Sequence, residues 1–408
     1  MRKKKRKLNI KRIILFILIL ILIPISIPLT YSKLNKDNFF KENNHSVDKE
    51  EEPKIEEYEA SLVMVGDALI HQSLYKDAAR LANYNGYEFK PYLEYIKEEI
   101  SKYDIAYYNQ ETILAGESIG ISTYPAFNTP QELGDAMIDA GFNLVSLATN
   151  HTLDRGEKGA LLSREYWNKQ ENVHAIGSYS SQEEKQNLET KIKEVNNITY
   201  AMLNYTYGTN GIPVPKNKDY LVNLWDDTNN YEGYKEQVKK DISAIRDKVD
   251  VLIVAMHWGR EYTHTPTDLE IKTANFLKEL DIDIIIGTHP HVIQPVEFLD
   301  DTLVFYSLGN FFSAQTSQSC SNYKCNIGLM SSLTIKKTIN NDETKIEINN
   351  IQNDLVYTYH KNYTNFKVIP FSNPKIKEYL KNYSNIYNQY SDIIKTDDER
   401  INTVPLGE

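Results

Sequence analysis

Cysteine is nearly absent: the chain of 408 residues carries two, Cys320 and Cys325. That excludes a disulfide-framed scaffold, and also a cysteine-built zinc site, which needs more such ligands close by. The pair lies in "SCSNYKC", a spacing that either closes a small loop or leaves two free thiols. Positive charge is short beyond the first dozen residues. "MRKKKRKLNIKR" holds eight of the 46 Lys/Arg, which leaves 38 to face all 56 Asp/Glu, a net charge of −18. No basic footprint for nucleic acid exists there, so no nucleic-acid partner is expected. Internal repeats are lacking. Histidine is scarce, at nine.

Charge of either sign is missing from residues 13–32, which include "IILFILILILIPISIPLT". The run is near the roughly 20 apolar residues that a membrane span requires, and no small-residue cleavage pattern follows it. The basic flank predicts a cytoplasmic N-terminus and an extracellular body at the cell membrane. A cleaved signal peptide is the alternative, and it too exports the body. The expected organisation is a basic cytoplasmic segment (1–12), a transmembrane anchor (13–32) and a disordered polar tether (33–58). A main domain (59–330) and C-terminal strands with a helical tail (331–408) follow. At 41% hydrophobic and 25% charged, the chain as a whole has an ordinary globular composition.

Apolar runs alternate with helical patterns. "SLVMV" (61–65), "YDIAYY" (103–108), "FNLVSLA" (142–148), "VDVLIVAM" (249–256), "DIIIG" (283–287) and "TLVFYSL" (302–308) read as strands covered on both faces. "NTPQELGDAMIDAG" predicts a helix capped by Thr129 with Glu132 and stopped by Gly141. "PTDLEIKTANFLKEL" repeats the device with Thr267 and Glu270. Such alternation predicts an α/β fold.

Every one of these strands ends in polar residues. In chain order they are Asp67 and His71, Asn109 and Glu111, Asn150 with His151 and Asp154, His257 and Glu261, His289 and His291, and Asn310. Ligand sites in α/β sheets lie beyond the carboxyl ends of the strands. Imidazole and carboxylate together suit a divalent metal such as zinc, manganese or iron. Taken singly, each motif reads equally as a capped turn or a satisfied histidine. Jointly they gather six of the nine histidines, counting His264, which is expected at the surface. In "GTHPHVIQ", Gly287 offers a tight exit from the sheet. His289 and His291, two apart on an extended segment stiffened by Pro290, would point the same way. His45, His174 and His360 have no such context.

The ordered set "GD", "N-x-E", "NH-x-x-D-x-G-x-x-G", "HWG-x-E", "G-x-HPH-x-x-Q" and "SLGNF" resembles the CapA family of poly-γ-glutamate capsule proteins. That family belongs to a wider metallophosphoesterase-like group. "YTYGTNGIPVP" (205–215) resembles its middle segment. The resemblance implies a four-layer αββα sandwich with a metal centre at the strand ends. It implies Asp67, Glu111, Asn150, His257, His289 and His291 as metal ligands. His151 would be an acid beside them, oriented by Asp154, with His71, Asn109, Glu261 and Asn310 as possible additions. The implied function is capsule synthesis or export with a metal-dependent, hydrolase-type site. A non-catalytic polymer-binding subunit of the membrane capsule synthase is the alternative. The implied partners are an anionic polymer, poly-γ-glutamate, and the synthase subunits.

Overall fold

The computed structural model describes residues 55–225, 230–315, 320–321, 323–341 and 343–407. The predicted basic segment and anchor, and the tether up to residue 54, lie outside the described residues. Among the described residues no helix is long and apolar enough to cross a membrane. Glu57–Lys337 and Ile346–Glu408 form one compact unit, and the hairpin tip Thr338–Lys345 divides off from it.

Among the described residues, fifteen strands build two sheets. They are β1 (Ile55–Leu69), β2 (Ile105–Gln110), β3 (Leu144–Ser146), β4 (His174–Ile176), β5 (Ile192–Val195), β6 (Ile198–Thr206), β7 (Val251–His257) and β8 (Ile284–Thr288). After these come β9 (Val296–Leu299), β10 (Thr302–Phe305), β11 (Asn310–Ser313), β12 (Ile327–Asn340), β13 (Glu343–Lys361), β14 (Thr364–Pro370) and β15 (Ile401–Thr403). The larger sheet runs β14-β13-β12-β1-β2-β3-β4, with β11 added on β1 and β15 on β13. The smaller runs β5-β6-β7-β8-β10-β9. β1 to β4 pair in parallel, as do β6, β7, β8 and β10. Parallel neighbours put their carboxyl ends on one edge, which is what gathers the site.

Successive side chains of a strand point to opposite faces, and that alternation sorts the core into layers. Leu62 and Met64 of β1 meet Met202 of β6 and Ile253 of β7 between the sheets. Val63 and Val65 face outward onto helices Gln72–Leu81, Glu94–Ile100, Glu132–Asp139 and Gly156–Asn168. Ala201 and Leu203 of β6 and Leu252 and Val254 of β7 face helices Tyr231–Ile245 and Asp268–Glu279 on the far side. The order is helices, sheet, sheet, helices. Each fully buried aliphatic side chain contributes about 1.5–3 kcal/mol. Burial on both faces explains the near-continuous apolar runs of the sequence.

Several expectations need correction. Thr267 does close a capping box with Glu270, but Thr129 caps nothing. The helix near it starts at Glu132, and the Thr129 hydroxyl instead meets the Thr112 hydroxyl at 2.8 Å. Pairing of two buried hydroxyls wins over the cap. β1 begins at Ile55, inside the stretch read as tether. β6, second in the smaller sheet, is not among the apolar runs of the sequence because Thr, Tyr and Asn interrupt its apolar residues.

Candidate metal centre

The close contacts of two glycines set the floor of the site. A Cβ on Gly66 would stand 1.8 Å from the Gly309 carbonyl, so only glycine lets β1 close onto that turn. Asp67 then donates its backbone N–H to the same carbonyl at 2.9 Å, and the strand register shifts beside it. This ties "GD" to "SLGNF" physically. Gly287 lies within β8, and its Cβ would stand 1.8 Å from the Tyr306 carbonyl. Close backbone approach, rather than a turn, requires glycine there.

The segment after β8 is not extended. His289 has φ 97° and His291 φ 60°. Both lie in the left-handed region, which is costly for residues with a Cβ and is common at functional sites. The two rings still converge, with centroids 5.7 Å apart.

Around them the strand ends assemble in the expected way. Asp67 Oδ2 lies 3.4 Å from His291 Nδ1 and accepts the His289 backbone N–H at 3.3 Å. Glu111, just beyond β2, stands between two histidines: Oε1 is 3.7 Å from His257 Nε2, and Oε2 is 3.7 Å from His291 Nδ1. Asn150 Oδ1 lies 3.0 Å from His257 Nε2. The His257 and His289 rings are 4.9 Å apart. Among the described residues, three groups have donor atoms close enough to hold a cation: Asp67, Glu111 and His291; Glu111, His257 and His289; and Glu261, His289 and His291. Glu111 is common to the first two.

The remaining candidates buttress this set. Asn109 donates to Asp67 Oδ1 at 2.8 Å and accepts from Ser146 at 2.6 Å. Asn310 Oδ1 accepts from His291 Nδ1 at 3.1 Å, while its amide donates to the Cys325 carbonyl. Cys325 is disulfide-bonded to Cys320, which closes the small loop. His151 Nδ1 donates to Asp154 Oδ2 at 2.7 Å, and that oxygen also accepts the Phe127 N–H. His71 joins none of the three ligand groups. Its ring rests edge-on against Phe127, which also touches His151. Glu261 is the exposed member, 3.8 Å from His291 Nε2. His264 is half-buried rather than at the surface, because its Nδ1 donates to the Ile293 carbonyl at 2.7 Å.

Three contributors were missed. Thr288 Oγ1 lies 2.9 Å from His257 Nδ1, a contact that fixes the ring and leaves Nε2 facing the site. Tyr207 packs on His289, with ring centroids 4.6 Å apart. Asn210 reaches both Asn150 and His151. Tyr207 and Asn210 follow β6, so recognising that strand would have exposed them by the same strand-end rule.

Burial decides the protonation states. It pushes His257 and His289 well below the usual imidazole range, so their lone pairs are free. It also pushes Glu111 well above the usual carboxylate range, against the attraction of His291. For His291, burial opposes the charged form, but Glu111 and Asp67 outweigh it and raise the ring to about 9; the same two carboxyl groups would equally favour a divalent cation in place of that proton. The donor set fits a divalent metal on a specific observation. Glu111 is fully buried and neither of its carboxylate oxygens accepts a hydrogen bond, and buried His289 Nδ1 is likewise without a partner. Buried polar atoms are normally satisfied, and a cation among them would do so.

Comparison with known proteins gives a consistent picture. Residues 61–315 match the family model of the bacterial capsule synthesis protein PGA_cap. The PGA biosynthesis protein CapA of Bacillus subtilis (strain 168) is 31% identical over 185 residues, 45% of this chain and 46% of that protein. The capsule biosynthesis protein CapA of Bacillus anthracis is 28% identical over 182 residues, 44% of this chain and 42% of that protein. The chain thus matches under half the length of these curated relatives. A crystal structure from Staphylococcus aureus described as a 5'-nucleotidase, in complex with alpha-ketoglutarate, overlaps 82% of this chain and 58% of that one. The identity is 15% and the TM-score 0.44, and a likeness that low decides nothing about chemistry.

Proposed function

This chain belongs to the bacterial capsule synthesis protein PGA_cap family, and on that premise we propose that it handles an anionic capsule polymer at a metal centre outside the cell. The polymer of this reading is poly-γ-glutamate, in keeping with the relatives named for PGA and capsule biosynthesis. The basic cluster and apolar run of residues 1–32 would anchor the protein in the membrane beside the synthase subunits. The chemistry is metallophosphoesterase-like hydrolysis or transfer.

The observation that carries the reading is the buried Glu111 carboxylate, unpartnered between His257 and His291. Asp67, Glu111 and His291 would hold one divalent ion. Glu111, Asn150, His257 and His289 would hold a second, with Glu111 shared. Zinc, manganese and iron all suit this mixture of imidazole and carboxylate. A cation held there supplies Lewis acidity that activates water and offsets charge on the attacked group. His151 does the proton work. Its Nδ1–H is engaged by Asp154, which leaves Nε2 to hand a proton to the leaving group. Asp154 in turn is fixed by the Phe127 N–H. Asn109 and Asn310 hold Asp67 and His291 in place.

The test is incubation of the purified chain with poly-γ-glutamate and each metal, with polymer length followed by size-exclusion chromatography. Shortening that requires metal and His151 supports the reading. Binding without shortening would replace it with the non-catalytic polymer-binding role.

A further inference from the structure

A groove of about 640 Å³ lies apart from the metal donors, lined by residues of segment 182–191, strand β6, segment 214–224 and helix Tyr231–Ile245. Four lysines line it (Lys185, Lys191, Lys216 and Lys240) against two aspartates, in a chain whose net charge is −10. Both aspartates are engaged. Asp241 accepts from Tyr205 and Gln237 at 2.9 and 2.8 Å, and Asp219 lies 3.4 Å from Lys185 Nζ. Lys191 is turned inward onto the Lys185 carbonyl and over the Tyr179 ring. Among the described residues, the side chains of exposed Lys216 and Lys240 have no ion pair or hydrogen bond.

The lining selects a ligand type. Among the described residues that line it there is no arginine, so the groove offers lysine point charges rather than the bidentate fork that favours phosphate. Leu188, Leu203 and Leu224 add apolar surface to the lining. That combination suits a chain of carboxylates separated by methylene groups. One stretch links groove and metal donors. Tyr205 lines the groove, Tyr207 packs on His289, Asn210 reaches His151, and Val214 and Pro215 line the groove again.

We infer that this groove binds an extended polycarboxylate chain and holds the polymer alongside the metal centre. The inference rests on the reading of the protein as a handler of capsule polymer. Carboxylates of the chain pair with Lys216 and Lys240, and its methylenes lie on the leucines.

The test uses the purified full chain, its Lys216→Glu/Lys240→Glu variant and a His289→Ala variant. Binding of labelled poly-γ-glutamate is read by fluorescence anisotropy, with inorganic polyphosphate as the comparison, and metal content is measured on the same samples. An exposed ion pair contributes up to about fivefold in affinity, so reversing both charges should weaken polyglutamate binding by about tenfold. Metal content should be unchanged, and polyphosphate should bind more weakly than polyglutamate. The inference is overturned if the lysine variant binds like the wild type, if polyphosphate binds as tightly, or if nothing binds. Binding lost only in His289→Ala would remove the groove and leave the metal centre standing. Binding lost only in the lysine variant, in a chain that takes up no metal, would do the reverse.

Discussion

Glu111 Oε2 and His291 Nδ1 stand 3.7 Å apart, both residues buried, and the carboxylate accepts no hydrogen bond from either side. β2 brings one and the turn after β8 brings the other, so the contact joins the two sheets. An unpartnered buried carboxylate is costly unless a cation completes it. Glu111→Gln keeps the shape and removes the charge. It should abolish stoichiometric metal uptake while the far-ultraviolet circular dichroism is retained, and full uptake would contradict this.

Thr288 tests the outer layer of the site. Its hydroxyl lies 2.9 Å from His257 Nδ1. Thr288→Val removes that oxygen at nearly constant volume. Metal affinity in a chelator competition should fall roughly 10–100-fold, as for other partners that orient a ligand. Unchanged affinity would mean that His257 does not bind the ion.

Asp154→Asn separates proton transfer from metal binding. The carboxylate fixes the His151 tautomer through a 2.7 Å contact and belongs to no ligand group. Metal content should stay at the wild-type level. Turnover of any polymer that the wild type cleaves should fall by about 10²–10⁴, with a shifted pH profile. An unshifted profile would remove His151 from the proton-transfer role.

Asp354 gives the protein a pH-dependent stability away from the site. Burial raises its carboxyl from 3.8 to about 7, although bonds from Ser372 work the other way. The folded chain therefore binds this proton more tightly than the unfolded chain. Its contribution is complete below about pH 4 and is lost as pH rises through about 7. Denaturant midpoints should fall between about pH 4 and 7 in the wild type, and that fall should be smaller in Asp354→Asn. Parallel curves would refute the assignment.

Gly287→Ala tests the packing at the sheet edge. The new Cβ would meet the Tyr306 carbonyl at 1.8 Å, where backbone on both sides is held in the sheet. Overpacking of this kind costs about 1–3 kcal/mol. A thermal midpoint equal to the wild type would show that β8 can shift.

Much of the site was legible because parallel strands collect their carboxyl ends, so strand-end polar residues in sequence become neighbours in space. Asp67, Glu111, Asn150, His257, His289 and His291 were read that way, and the structure brings them together. What stayed hidden depends on long-range contacts. The left-handed backbone at His289 and His291 lies in a turn whose next residues, Val292 and Ile293, approach Gly309 closely. Thr288 matters only because β7 and β8 pair in register, His257 against Thr288. Tyr207 and Asn210 were concealed with β6, whose buried Thr, Tyr and Asn break the apolar run. Thr129 looked like a cap, since a sequence pattern cannot show a competing hydroxyl across the fold.

The most direct test of the account is elemental analysis of the purified full chain beside a His289→Ala/His291→Ala double variant. The account predicts close to stoichiometric zinc, manganese or iron in the wild type, lost in a variant that still folds. A folded wild-type chain that takes up no metal even when supplied would contradict it.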